Sequence, residues 1–416
     1  MWERFSHTFI FLFLPRHQRI SMFFDSSERS CVILLLLFPG GSWITAQSQI
    51  GRPGASNTSS HEIASCRKCH EKLVDSFTET AHFRTSSLAD AHAIKGSFVE
   101  GQNVLRTRSE GTYFKMESRV SEDGVAFYQT AYQSTKAGVT ARTERIDLVI
   151  GSGRKGQSYL YWENGLLFQL PVSFLAAREG WANSPGYVDG EVNFGRLIPP
   201  RCLECHATSF KIEGTPPAVR YSRNYELGIS CRNCHGDGSR HVEYHASHPG
   251  ETTGKYILNP ASFARERRLD NCALCHSGMR ELKRPSFSYQ PADKLEDFLM
   301  PATSEANSTP EVHGNQVGLL ELSKCFRSSP AMSCSTCHNV HQQERDLTQL
   351  AQRCLQCHQV NQCKQAGKTG VHLMEQCLDC HMPNEESKLV RIETATAKYP
   401  VRYRNHTIGV YPRSSN

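Results

Sequence analysis

Apolar residues make up only 38% of this 416-residue chain, so a conventional hydrophobic core is poorly supplied for its length. Long apolar runs are missing too. The strongest, Cys31-Val-Ile-Leu-Leu-Leu-Leu-Phe38, is too short to span a bilayer. There is no Lys/Arg run of the nucleic-acid-binding type, and the formal charge of +6 does not by itself imply a polyanionic partner. Methionine is scarce, with 8 in the chain. Residues 97–200 contain no cysteine at all, although the chain has 17. So many thiols would be out of place in a reducing cytosol.

The cysteines follow one pattern. C-x-x-C-H occurs at Cys66–His70, Cys202–His206, Cys231–His235, Cys272–His276, Cys334–His338, Cys354–His358 and Cys377–His381. Chance at this chain's Cys and His frequencies predicts about 0.03 copies. The pattern is the attachment signature of c-type haem: two thiols add across two porphyrin vinyl groups and the adjacent imidazole sits beneath the iron. Zinc knuckles also use C-x-x-C pairs but do not require a His after each second Cys. We therefore expect seven covalent haem c groups. Their thioether cysteines are Cys66, Cys69, Cys202, Cys205, Cys231, Cys234, Cys272, Cys275, Cys334, Cys337, Cys354, Cys357, Cys377 and Cys380. The proximal ligands are His70, His206, His235, His276, His338, His358 and His381. Flat apolar macrocycles would supply the missing core. Their propionates, about fourteen charges in all, would take up many of the Lys and Arg side chains.

Each iron also needs a sixth ligand or an open face. Of 19 histidines, the reading assigns His82, His241, His313, His341, His372 and His406 as distal ligands and leaves His61, His92, His245 and His248 aside. Two imidazoles give low-potential haems, whereas Met raises the potential. His341 lies three residues after His338, and His241 six after His235. Neither segment is long enough to wrap a ring edge, so each should serve a neighbouring haem. Cys325 and Cys363 remain outside the motifs; in an oxidising compartment they are expected to form a disulfide.

In chain order, residues 1–46 read as a signal peptide or leader, with translation from Met22 and an N-terminal anchor both left open. Residues 47–96 hold a linker and the first haem segment, including a helix expected over Glu71–His82 with Leu73, Val74, Phe77 and Ala81 on one face. Residues 97–200 read as an inserted antiparallel β module, with turns at Glu122–Gly124 and Glu163–Gly165. Gly151-Ser-Gly-Arg-Lys-Gly156 resembles a phosphate loop only superficially, lacking the Lys-Ser/Thr ending and a following helix. Residues 201–383 form a six-haem domain, and 384–416 a tail packing back on the haems. The fold class is α+β with little regular structure: haem-packed and mainly short-helical around the β module.

The stretches Ile198–His206, Gly228–His241 and Ser323–His341, with the ending Cys377–Pro383, resemble exported multihaem cytochromes of the cytochrome c-554 class. The resemblance implies closely spaced, mostly bis-His haems and electron transfer in the periplasm or outside the cell. The expected partners are redox proteins, either other cytochromes or a quinol-oxidising complex, with no nucleic acid. Membrane association would come through those partners or an uncleaved leader. No catalytic residue is assigned. The competing reading is a reductase or oxidase of a small nitrogen or sulfur species at one five-coordinate haem, at Cys66–His70 or Cys202–His206. No C-x-x-C-K motif is present to support it.

Overall fold

The computed structural model describes residues 59–122, 124–214, 219–301, 314–366 and 373–412. The first helix, α1 (Ser59–Thr78), carries the Cys66–His70 motif within it. It starts well before the expected Glu71, because nothing in C-x-x-C-H breaks a helix. Only His70 leaves helical geometry, at φ −117° and ψ 39°. The helix ends before His82. Val74 and Phe77 are buried as the periodicity requires, but Leu73 is 45% exposed and faces a large cavity.

Ten strands follow: β1 (Ser86–Leu88), β2 (Val104–Arg106), β3 (Thr112–Ser121), β4 (Gly124–Thr135), β5 (Gly138–Ile146), β6 (Leu148–Ile150), β7 (Gly156–Glu163), β8 (Leu166–Gln169), β9 (Val172–Leu175) and β10 (Gly180–Asn183). They build two antiparallel sheets. One runs β2-β3-β4-β5; the other runs β1-β6-β7-β9-β10, with β8 also paired to β7. Alternation sets the faces: in β3, Thr112, Phe114 and Met116 point inward. The β7–β8 turn uses Asn164 and Gly165, both at positive φ (51° and 78°), as a two-residue hairpin with right-handed twist demands. The sheets enclose Phe114, Met116, Phe127, Ile146, Tyr159, Tyr161, Leu170 and Trp181. Burying each such side chain contributes about 1.5–3 kcal/mol. Gln129, fully buried, joins the sheets: its amide donates to the Val172 carbonyl at 2.7 Å and its oxygen accepts the Val172 N–H at 3.2 Å.

The rest consists of short helices and two further hairpins. The helices are α2 (Pro200–Glu204), α3 (Arg232–His235), α4 (Ser239–Ser247), α5 (Arg265–His276), α6 (Gln316–Glu321), α7 (Lys324–Ser328), α8 (Leu347–Cys354) and α9 (Leu373–His381). The hairpin β11–β12 (Ala207–Glu213 and Arg220–Leu227) interrupts the expected short-helical segment. It packs Phe210, Tyr221 and Tyr225 on Leu148, Leu160 and Trp162, the second face of the larger sheet. In the tail, β13 (Asn384–Glu393) and β14 (Lys398–Arg404) pair with each other, and Ile392 packs on Leu175 and Ala182. Among the described residues no helix is long and apolar enough to cross a membrane. The leader expected at 1–46 lies outside the described residues.

Candidate haem-binding cavity

The motifs are held by the scaffold that follows or precedes them. Leu203, inside Cys202–His206, is 1% exposed and belongs to the cluster with Trp162 and Tyr225, which fastens this motif to the β module. Ala273, inside Cys272–His276, packs with Leu295, Leu299 and Val317. Arg201 and Glu204 link these two motifs. Their side chains are 7% and 5% exposed and form an ion pair at 2.7 Å. Arg201 also donates to the Leu274 carbonyl, and Glu204 accepts the Phe287 N–H at 2.6 Å.

These elements leave a central cavity of about 2690 Å³. A pocket for one drug-sized ligand occupies about 300–1,000 Å³, so the space suits several large groups. Its wall is mostly apolar and includes Cys66, Cys69, Cys202, Cys205, Cys231, Cys234, Cys272, Cys275 and Cys334, together with His70, His206, His235, His276 and His338. The attachment thiols lie close to one another across motifs. Cys66 lies beside Cys231, Cys205 beside Cys275, and Cys272 beside Cys334. Cys354 continues the series, with Cys337 and Cys377 each in its neighbourhood.

Four imidazole pairs face each other. His70 stands opposite His241 with ring centres 6.4 Å apart, and His82 opposite His276 at 6.0 Å. His235 stands opposite His341 at 6.0 Å, and His338 opposite His406 at 6.4 Å. Two metal–imidazole bonds of about 2.0 Å, in line with rings whose nitrogens lie about 1.1 Å from their centres, separate the centres by about 6.3 Å. The observed gaps fit one iron between each pair. Each pair combines a motif histidine with one from a different segment.

Hydrogen bonds orient the rings. His235 Nδ1 donates to the Leu258 carbonyl at 2.8 Å, His241 Nδ1 to Lys255 at 2.8 Å, His381 Nδ1 to Gly409 at 2.7 Å and His406 Nδ1 to Arg404 at 2.9 Å. With Nδ1 engaged, Nε2 is the free ligating atom. Thr85 Oγ1 lies 2.8 Å from His206 Nδ1. Burial lowers the pKa of His82 to about 4, helped by His276 and His338, and burial also lowers His276, His341 and His406. Neutral imidazole is the ligating form. Among the described residues no group of three or more His, Cys, Asp or Glu side chains could hold a bare metal ion. Imidazoles opposed in pairs form a different arrangement from a tetrahedral zinc site.

Cys357 and His358 are exposed. His313 and His372 lie outside the described residues. The expected Cys325–Cys363 disulfide is not formed. Cys325 lies near Cys337 and Cys354, and Cys363 lies near Cys377. Sequence reasoning missed Thr85, Gln316, which lies beside His276, and the Arg201–Glu204 pair. The first two carry no local signal. The third stands at i, i+3 around a motif and could have been noticed.

A chain with seven C-x-x-C-H motifs, several of them gathered on one apolar cavity, resembles the multihaem c-type cytochromes. Consistent with this, residues 187–236 match the family model described as cytochrome c554 and c-prime. No curated protein matches the chain. Among solved structures, it is similar to an undecaheme cytochrome from the S-layer of Carboxydothermus ferrireducens, with a TM-score of 0.39 and 15% identity. That similarity covers 82% of this chain but 56% of the other, so the chain spans little more than half of that protein's length.

Proposed function

We propose that this protein carries electrons through seven covalently attached haems, most of them ligated by two histidines, as an exported protein of periplasmic or extracellular respiration. Bound haem iron supplies one-electron chemistry, and the protein supplies attachment, orientation and electrostatics. The reading is carried by the four opposed imidazole pairs at 6.0–6.4 Å. Cysteine pairs anchor each group at one edge. His241, His82, His341 and His406 serve as distal ligands to the motifs of His70, His276, His235 and His338. The thiol contacts between motifs 66 and 231, 205 and 275, and 272 and 334 bring the attachment edges together, as transfer between neighbours requires. The partners we propose are other redox proteins.

The test is the oxidised holoprotein, expressed with haem-attachment machinery. Intact mass and a pyridine haemochrome assay should count seven haems. EPR should then show low-spin ferric signals at the four paired sites. A high-spin majority, or a protein that folds fully without haem, would overturn the proposal. A high-spin site that binds nitrite or hydroxylamine would instead favour the reductase reading.

A further inference from the structure

Glu344 lies in the loop between the Cys334–His338 motif and α8, and its carboxylate reaches both ends of that loop. The side chain is 10% exposed. One oxygen, Oε2, accepts the Asn339 N–H at 3.0 Å and lies 3.6 Å from Nδ1 of His338. The other, Oε1, accepts from the Arg353 guanidinium at 3.0 Å. Arg353 immediately precedes Cys354, so this one carboxylate ties the Cys334–His338 motif to the Cys354–His358 motif. The local sequence fixes both contacts. Asn339 folds the loop back by accepting the His341 N–H on Oδ1 at 3.1 Å. Asp346 caps α8, accepting the N–H groups of Thr348 and Gln349 at 2.8 and 3.4 Å. About two helical turns later, Arg353 arrives at Glu344.

Other ring nitrogens meet uncharged oxygens. His235, His241, His381 and His406 each direct Nδ1 to a backbone carbonyl. His338 has a carboxylate beside it instead, while its ring stands opposite His406 with centres 6.4 Å apart. Exposed ion pairs are worth little. This one is mostly buried, and the backbone of Asn339 and the guanidinium of Arg353 hold it in place. A carboxylate at the outer nitrogen of a ligating imidazole orients the ring and raises the basicity of the ligating nitrogen. Its charge also favours the more positive oxidation state of the iron.

We infer that Glu344 is a positioning residue for the haem of the Cys334–His338 motif: it orients the His338 ring and holds that haem at a lower potential than a carbonyl partner would. The inference rests on the proposed function, because it takes His338 and His406 as the axial ligands.

The test compares the holoprotein with Glu344→Gln, which keeps an acceptor for the Asn339 N–H but removes the charge. Haem content and far-UV circular dichroism are matched first, and spectroelectrochemical titration with EPR then reads the midpoints. Glu344→Gln should shift the equilibrium of one haem about tenfold toward the reduced form, a rise of about 59 mV for one electron, and should move the g values of that haem. Arg353→Gln removes the counter-charge and should shift the same haem the other way. Glu344→Asp retains the charge and should stay within about twofold of wild type. A merely structural link predicts shifts of the same sign in Glu344→Gln and Arg353→Gln. That result, or midpoints unmoved in both variants of a fully loaded protein, would overturn the inference and leave the proposed function standing. If Glu344→Gln fails to load its haems, the downward shift in Arg353→Gln decides alone. A wild-type protein without haem at the Cys334–His338 motif would sink the proposed function and the inference with it.

Discussion

Replacing Arg201 by Met tests how the Cys202–His206 and Cys272–His276 motifs are held together. In the native protein, Glu204 has two partners, the Arg201 guanidinium at 2.7 Å and the Phe287 N–H at 2.6 Å, and is 5% exposed on its side chain. Arg201→Met leaves a buried carboxylate with one neutral donor. Breaking one side of such a pair costs about 3–5 kcal/mol, since a desolvated charge loses its counter-charge. Glu204→Gln leaves the guanidinium only neutral acceptors, the Leu274 carbonyl and the new amide oxygen, and no counter-charge, and should cost a similar amount. The double variant Arg201→Met/Glu204→Gln removes both charges and should cost well below the sum, with a coupling of about 2–3 kcal/mol. Urea denaturation of the holoprotein, followed by far-UV circular dichroism and the Soret band, measures all three. Coincident transitions by the two probes license the free-energy cycle. Additive costs, or a loss below about 1 kcal/mol for Arg201→Met, would refute the buried-pair argument.

Three more outcomes are expected. Gln129→Leu should destabilise the β module by about 2–4 kcal/mol, because both backbone groups of Val172 lose their buried partner; a thermal melt within error of wild type would contradict this. Burial raises the pKa of Glu62, against the bond from Ser230 and the charge of Arg232. Its contribution to stability is therefore fully present below its unfolded pKa of 4.5 and lost as pH rises through the raised folded value. Glu62→Gln should flatten that slope, and an unchanged pH profile of unfolding midpoints would count against it. His406→Met should raise the midpoint potential of one haem, on the order of 0.1 V, in a spectroelectrochemical titration. If His406 touches no iron, all potentials stay where they were.

The local part of this architecture was legible because its chemistry is local. Attachment needs two thiols and an imidazole at fixed spacing, which a motif displays directly. The Asn164-Gly165 turn was legible for the same reason: only residues that accept positive φ can close that hairpin. Reach alone argued that His241 and His341 serve neighbouring motifs, and the structure sets them opposite His70 and His235. The β11–β12 hairpin was not legible. Its strands sit in a motif-dense segment, and their apolar residues make sense only against Trp162 and Leu160 from the larger sheet. The Cys325–Cys363 bridge failed because an even count of spare thiols says nothing about their distance.

By itself the sequence determined that the chain carries seven C-x-x-C-H motifs, that residues 97–200 contain none of them, and that histidines outnumber the irons they would serve. Only the tertiary structure decided which histidine faces which motif. His82 precedes the β strands and meets His276, while His406, in the tail, meets His338. Such pairings join residues far apart in the chain, and no local propensity encodes them. They follow from tertiary packing, which brings helix, loop and tail segments to one cavity.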